Sequence, residues 1–291
     1  MRHLAIDHEV PTDDWSDLSQ YLPLPEIDRD RMHRWRNARL AAELAKAEVD
    51  LAIFVNPISL RYALDYRTYG LYQSHIPTTY LFYPAEGPPE AFGAYGWPEG
   101  CAASRPGRAI NAFDGGPDLA EQARLLADDV VDFMSRNGFT GRRIAVEYVN
   151  PSITMALLQR GFEVVDAMGL IELARVIKGP DEIACIRWAV AVAELGIEKM
   201  EAALRPGIRE VQLWGLLNYT NLANDGDWHD GRMLASGPRT NPWLQEASPR
   251  MVEAGDLVAF DTDMVGPNGY FADISRTFFC GPGQPTSRLD A

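Results

Sequence analysis

The chain has 291 residues, of which 46% are hydrophobic and 23% charged, and this composition is ordinary for a globular protein of two domains. Its formal net charge of −14 argues against nucleic acid or an anionic membrane surface as a partner, because both repel an acidic protein. Three widely spaced cysteines indicate neither a disulfide framework nor a cysteine zinc site, and they fit a reducing cytoplasm. No apolar run has the length of a signal peptide core or a membrane span, so we expect no membrane partner.

The first part of the chain predicts an irregular arm followed by a mixed α/β domain. Residues 1–24 are rich in aspartate and proline, which predicts the arm. Helical and strand-like patterns then alternate over residues 25–174, and this alternation favours an α/β domain. The predicted helices cover residues 27–48, 119–137 and 152–160, and the predicted strands cover residues 51–55, 78–83, 143–148 and 163–166.

The second part of the chain, residues 175–291, opens on a helix-start signal. The segment Gly179–Glu182 combines a proline with two acids, which is typical of the first turn of a helix. A short strand and an acidic hairpin are expected after the helices of this part. The predicted elements are helices over residues 181–203 and 211–223 and a strand over residues 233–236.

The acidic hairpin near the C-terminus is the most informative feature of the sequence. Two apolar, strand-like flanks, residues 256–263 and 270–279, enclose the segment Gly266–Gly269, which has the composition of a turn. The sequence therefore predicts two antiparallel strands, and it places aspartates on both of them.

Three of these aspartates are expected to lie on one face. Side chains alternate between faces along a strand, so Asp261 and Asp263 share a face, and a turn centred on Pro267 pairs Asp261 with Asp273. The Cβ atoms of such a pair lie about 5 Å apart. Two unit charges at that distance repel by roughly 3 kcal/mol at an effective dielectric constant near 20. Such a cluster needs protons, cationic side chains or a metal, and we favour a metal.

Three other interpretations of the hairpin were weighed. In the first, the aspartates simply face water, although the apolar flanks argue against it. In the second, the hairpin is an EF-hand calcium loop, but a loop starting at Asp261 would have Val265 at its fifth position and Ala272 at its twelfth. In the third, Arg276 neutralises a carboxylate, but it lies three residues beyond Asp273 and is expected on the opposite face.

Two further residues are candidates for a substrate site. His229 precedes a predicted strand and is a candidate for the face that carries the metal, although a single histidine is more often structural. Tyr72 ends an aromatic stretch over residues 66–72 that either lines a pocket or simply packs in the core.

Several motifs resemble the creatinase and Xaa-Pro aminopeptidase family, the pita-bread enzymes of metallopeptidase family M24. The segments Arg175–Ile183 and Arg205–Glu210 are similar to the opening of its catalytic domain, and the hairpin is similar to its first metal-ligand blocks. By this resemblance Asp261 is the first metal ligand, usually bidentate, and Asp273 is the bridging ligand.

The resemblance implies a fold, cofactors and partners. The fold is an α/β N-terminal creatinase-like domain, residues 25–174, followed by an α+β pita-bread catalytic domain, residues 175–291. The implied cofactors are two divalent or trivalent metal ions, and the implied partners are a small-molecule or short-peptide substrate and a second copy of the chain in a homodimer.

One branch of the family fits better than the others. The segments Leu234–Glu246 and Phe260–Asp263 look like those of the dimethylsulfoniopropionate lyases of this fold, in which the aspartate at position 263 also binds metal. Peptidases of the family usually have a small residue at that position, and a histidine that helps bind substrate where this chain has Trp243. The added carboxylate favours iron, manganese or zinc bound mainly by oxygen. Trp243 is a candidate for packing against a sulfonium cation.

The sequence departs from the family pattern after the second aspartate. The family completes its site with one histidine and two glutamates, but neither residue type follows Asp273. We therefore expect only the first half of the pita-bread domain, in a fragment or truncated product that is inactive by itself and whose catalytic base is unknown.

Three functions stay open at this point. The first is a lyase that releases dimethyl sulfide and acrylate from dimethylsulfoniopropionate. The second is a metallohydrolase of the Xaa-Pro aminopeptidase or dipeptidase type. The third is an inactive fragment or a non-catalytic homologue.

Overall fold

The computed structural model describes residues 25–67, 69–93, 112–113 and 115–282. They form two compact units, one of residues 28–181 and one that includes the described residues from Glu182 onward. The predicted arm over residues 1–24 lies outside the described residues. Among the described helices, none combines the length and the apolar character needed to cross a membrane.

The first unit is built on a mixed five-stranded sheet. Its strands are β1 (Leu51–Phe54), β2 (Thr79–Pro84), β3 (Glu90–Gly93), β4 (Arg143–Val146) and β5 (Glu163–Asp166). The order across the sheet is β3-β2-β1-β4-β5. The β1–β4 and β4–β5 pairs are parallel, whereas the β1–β2 and β2–β3 pairs are antiparallel.

Helices cover both faces of this sheet. The helices are α1 (Arg29–Lys46), α2 (Pro57–Leu64), α3 (Gly70–His75), α4 (Leu119–Arg136), α5 (Pro151–Gln159) and α6 (Met168–Val176). Alternate residues of β1 belong to two separate cores: Leu51 and Ile53 pack with α4 and α5, and Ala52 and Phe54 pack with α1, α2 and α6. Both faces of the central strand are therefore apolar and buried, as expected for a sheet between two helical layers.

The predicted helices and strands of this part are present, with ends that differ by no more than two residues. The sequence pattern did not predict α2, which begins directly after β1. In the structure the Asn56 side chain caps the helix by accepting from the Ile58 N–H, and Pro57 takes the first helical position, where no N–H is needed. The sequence also gave no prediction of α3, α6 or β3.

The second unit contains two helices and two small antiparallel sheets. The elements are α7 (Pro180–Ala203), α8 (Glu210–Ala223), β6 (Trp228–His229), β7 (Leu234–Ser236), β8 (Leu257–Asp261), β9 (Met264–Val265), β10 (Phe271–Ala272) and β11 (Ser275–Phe279). One sheet has the order β10-β9-β6 and the other β11-β8-β7. The first half of α7 packs on Met264 and Ala272, and its second half packs with α8 on Leu234, Val258 and Phe260.

The two small sheets are consecutive parts of one three-stranded ribbon. The ribbon is interrupted between β6 and β7, between β8 and β9, and between β10 and β11. Asp261 ends β8, and Asp263 and Asp273 lie in the interruptions themselves. The break in the ribbon, defined as residues 262–263 and 273–274, therefore holds two of the three aspartates singled out in the sequence, and the third directly precedes it.

Candidate metal centre

The hairpin has a different register from the predicted one. Ser275 lies opposite Asp261 in the ladder, and Ala272 lies opposite Met264. The predicted pairing of Asp261 with Asp273 is therefore wrong by two positions.

The turn residues explain the difference. The loop comprises Pro267–Gly269, and its centre is Asn268 rather than Pro267. Asn268 has φ 61° and Gly269 has φ 73°, so both adopt the left-handed conformation that an Asn-Gly pair tolerates well. The Gly266 N–H closes the loop by donating to the Tyr270 carbonyl at 2.8 Å. The Asn-Gly pair was the signal in the sequence that locates the turn.

The three aspartates nevertheless converge. One carboxylate oxygen from each of Asp261, Asp263 and Asp273 lies within 4.8 Å of the other two. The reason is not strand alternation, because Asp263 lies outside the strands and has φ 38°. Aspartate is one of the few residues other than glycine that enters this left-handed region readily. A bend in the backbone therefore brings the third carboxylate to the other two.

The close approach changes the proton affinity of two of the carboxyl groups. The hydrogen bond with Asp261, followed by burial and by the charges of Asp261 and Asp263, raises the pKa of Asp273 to about 6. Burial, together with the charges of Asp261 and Asp230, also raises the pKa of Asp263. Both shifts mean that the cluster has an excess of negative charge at neutral pH.

No cationic side chain balances this charge among the residues that the structure describes, since none of the three aspartates forms an ion pair there. Arg276 is exposed and donates to the carbonyl of Ser275 at 2.8 Å. Two oxygens bound to one ion at about 2.1 Å lie at most about 4.2 Å apart. One carboxylate oxygen from each of the three aspartates lies within 4.8 Å of the other two, which is close to the spacing that one ion or a pair of ions requires. Carboxylate oxygens are hard ligands suited to such ions. The site therefore fits a metal centre.

His229 lies beside the three aspartates, and its ring hydrogen-bonds to the backbone of Thr262. The ring Nδ1 is 2.8 Å from the carbonyl oxygen of Thr262, and the ring packs edge-on against Trp214 with centroids 5.2 Å apart. Nε2 is buried and has no hydrogen-bond partner among the described residues. Burial lowers the pKa of His229, which favours a neutral ring that donates from Nδ1. Its predicted role in substrate binding stays a prediction.

The other two predicted substrate residues have exposed rings. Trp243 follows the 3-10 turn Gly237–Thr240 and is 39% exposed. Tyr72 lies in α3, in the first unit, and is 42% exposed. Their substrate roles also stay predictions.

The sequence did not single out Glu210, which is fully buried at the start of α8. Its carboxylate accepts from the N–H and hydroxyl of Ser236 at 2.8 and 2.7 Å, and from those of Ser248 at 2.9 and 2.6 Å. It also accepts from the guanidinium of Arg239. Glu210 therefore ties together both ends of the segment 236–248, which carries Trp243.

The hydrogen bonds of Glu210 also decide its charge. Burial alone would raise the pKa of Glu210, but the hydrogen bonds from Ser248, Ser236 and Arg239 outweigh it and leave the pKa lowered. In the sequence, an acid in the first turn of a helix indicates only a favourable interaction with the helix dipole, so its neighbours could not be foreseen.

The fold and a sequence profile point to one class of protein. Residues 184–290 match the sequence profile of metallopeptidase family M24, and the described residues have the fold of solved members of this family. Its members are metal-dependent hydrolases or lyases, and they generally use divalent metal ions.

Two relatives share sequence similarity with most of the chain. It is 32% identical over 279 residues to the dimethylsulfoniopropionate lyase DddP of Roseovarius nubinhibens, and 33% identical over 280 residues to the DddP of Roseobacter denitrificans. Each alignment covers 92% of this chain and 62% of the relative. The chain thus spans less than two thirds of the length of these relatives.

Solved structures show the same fold at lower identity. An Xaa-Pro dipeptidase from Bacillus anthracis matches with a TM-score of 0.65 at 20% identity, covering 89% of this chain and 67% of the dipeptidase. An X-Pro aminopeptidase from Thermotoga maritima matches with a TM-score of 0.61 at 17% identity, covering 87% of this chain and 67% of the aminopeptidase. The predicted fold class, an α/β domain followed by part of a pita-bread domain, is confirmed.

The acidic cluster leads to a prediction about metal-free protein. The folded-state pKa of Asp273, about 6, lies above the value of about 3.9 expected in the unfolded chain. The folded state therefore binds more protons at Asp273 between these values, so the contribution of Asp273 to the free energy of unfolding should rise as the pH falls from about 7 to about 4. The melting temperature of protein kept in a chelator, followed by circular dichroism across this range, measures the effect.

Two variants complete this measurement. Asp273→Asn should be more stable than the wild type at neutral pH by a few degrees in melting temperature, and it should have a flatter pH dependence. Asp30→Asn, which changes an exposed carboxylate in α1, is the control and should keep the wild-type slope. An Asp273→Asn variant with the wild-type pH dependence would contradict the prediction.

A second prediction concerns Glu210. Glu210→Ala leaves the polar groups of Ser236, Ser248 and Arg239 without their shared acceptor, so the variant should lose about 3–5 kcal/mol in the free energy of unfolding. Chemical denaturation measures the loss. The matched control is Glu198→Gln on the exposed face of α7, which should change stability by less than about 0.5 kcal/mol. Equal stability of the two variants would contradict the role assigned to Glu210.

Proposed function

We propose that the protein is a metal-dependent lyase that releases dimethyl sulfide and acrylate from dimethylsulfoniopropionate. In this proposal Asp261, Asp263 and Asp273 hold two divalent or trivalent ions of iron, manganese or zinc. The main support for this proposal is the third carboxylate, since Asp263 lies in one cluster with Asp261 and Asp273. The activity of the whole protein is part of the proposal, since the chain spans 62% of the length of the two lyases.

The electrostatics of the cluster support metal binding. Three carboxylates within 4.8 Å, without an ion pair among the described residues, favour whatever brings positive charge to that point. When bound, the metal ions would polarise the carboxylate of the substrate and make its α-proton more acidic. The three aspartates supply only ligands in this scheme, and the residue that takes the proton is unassigned.

The two named relatives, together with Asp263 and Trp243 of this chain, support the lyase reaction. Two proteins that are 32% and 33% identical to this chain are named dimethylsulfoniopropionate lyases. In that reaction a base removes the proton α to the carboxylate, the carbon–sulfur bond breaks, and the sulfur leaves with the bonding electron pair. The products are acrylate and dimethyl sulfide. The exposed ring of Trp243 could pack against the sulfonium group before the bond breaks.

The alternative is a hydrolase that cleaves next to proline. The family name and the fold of the two solved peptidases support it. The presence of Asp263 in the cluster and of Trp243 in the loop favours the lyase instead. A cytoplasmic location and a homodimer remain parts of the proposal.

Metal binding is tested with Mn²⁺ as the probe. We expect the chain to take up Mn²⁺ and the Asp261→Asn and Asp273→Asn variants to bind it at least about tenfold more weakly, because each loses a charged ligand. Loss of the free Mn²⁺ signal in electron paramagnetic resonance measures uptake. Asp30→Asn is the control for a change of charge alone. Equal uptake by all of these proteins, or no uptake at all, would overturn the metal centre.

The substrate is tested on the purified protein loaded with iron, manganese or zinc. Dimethylsulfoniopropionate should yield equal amounts of acrylate and dimethyl sulfide, measured by chromatography, and an Xaa-Pro dipeptide should remain uncleaved. Trp243→Ala should lower kcat/KM by about tenfold, and Trp243→Phe should retain more activity, because an aromatic face still meets the cation. Proline release without acrylate would replace the lyase with the peptidase.

A further inference from the structure

We propose that Thr262 is a positioning residue that holds the three aspartates in one cluster. The inference rests on the proposed metal centre. Thr262 lies between Asp261 and Asp263 in the chain, and its side chain is fully buried. It also lies where the ribbon is interrupted, between the pair Asp261–Ser275 and the pair Met264–Ala272.

The hydroxyl of Thr262 bridges the backbone on both sides of Asp273. Oγ1 donates to the carbonyl of Ala272 at 2.7 Å and accepts from the N–H of Ile274 at 2.9 Å. Ala272 is the last residue of β10, and Ile274 lies in the interruption between β10 and β11. A single side chain therefore bridges the residues on either side of Asp273 and fixes the residue between them.

The backbone of Thr262 is tied to the other side of the site. Its N–H donates to Oδ1 of Asp261 at 3.0 Å, and its carbonyl accepts from Nδ1 of His229 at 2.8 Å. Every polar group of Thr262 is thus paired. Asp263, the next residue, is held through its own carbonyl, which accepts from the N–H of Asp230 at 3.0 Å.

The chemistry of this position admits few residues. The side chain must donate and accept within a short reach, which only a serine or threonine hydroxyl does without a bulky group. Valine has the same shape as threonine but removes the hydrogen bond to the Ala272 carbonyl and takes away the acceptor of the Ile274 N–H. We therefore expect the valine variant to let the Asp273 backbone move and the carboxylates separate under their own repulsion. A partner that orients a metal ligand typically contributes tenfold to a hundredfold to metal affinity.

The test compares Thr262→Val with Thr262→Ser in Mn²⁺ titrations. The valine variant should bind Mn²⁺ about tenfold to a hundredfold more weakly than the wild type, and the serine variant should stay within about threefold, because it keeps the hydroxyl. The matched control is Thr220→Val in α8, where a buried threonine donates to the Leu216 carbonyl at 2.8 Å. This control should bind Mn²⁺ like the wild type.

Hydrogen exchange of metal-free protein gives a second readout. The peptide that contains Ile274 should exchange faster in Thr262→Val than in the wild type, in Thr262→Ser or in Thr220→Val, since only the first lacks an acceptor for that N–H. Circular dichroism confirms that each variant is folded before it is compared.

The results of these experiments distinguish an error about the role of Thr262 from an error about the metal centre. If Thr262→Val binds Mn²⁺ like the wild type while Asp273→Asn does not, the metal centre stands and the role of Thr262 is wrong. If the wild type and Asp273→Asn bind alike, or neither binds, both proposals are overturned. Equal weakening in Thr262→Val and Thr220→Val would show a general loss of stability and would also overturn the role of Thr262.

Discussion

The mutual repulsion of three carboxylates is the constraint on which this part of the molecule depends. Asp273 is hydrogen-bonded to Asp261 and lies near the charge of Asp263, and together with burial these contacts raise the pKa of Asp273 to about 6. A folded chain keeps such a cluster only if other interactions hold the backbone in place. Those interactions are the two apolar cores under the ribbon and the hydrogen bonds of Thr262.

The break in the ribbon turns an ordinary hairpin into a site. A continuous hairpin would separate the aspartates along its strands and pair each with a fixed neighbour. The interruption instead lets Asp263 adopt φ 38° and releases the backbone of Asp273 from the ladder. The helix α7 anchors both halves, because its first half packs on Met264 and Ala272 and its second half on the other sheet. Rigid elements on each side thus fix a short irregular segment that carries the ligands.

A second polar network holds the segment that bears Trp243. Glu210 gathers Ser236, Ser248 and Arg239 around one buried carboxylate, so the segment is held at both ends by hydrogen bonds to the start of α8. The network leaves the ring of Trp243 exposed rather than packed in the core. The chain therefore uses polar contacts to hold the segment that carries Trp243, and apolar packing to support the ribbon.

The sequence by itself determined most of the elements, the resemblance to a family and the three aspartates, because apolar periodicity, helix-start residues and short motifs are local properties. It located most helices and strands within two residues. The register of the hairpin depended on Asn268 and Gly269, whose left-handed conformations move the turn by one residue from Pro267. Tertiary structure alone decided the break at Thr262 and the network at Glu210, because their hydrogen bonds join groups distant in the chain, and local patterns do not encode such contacts.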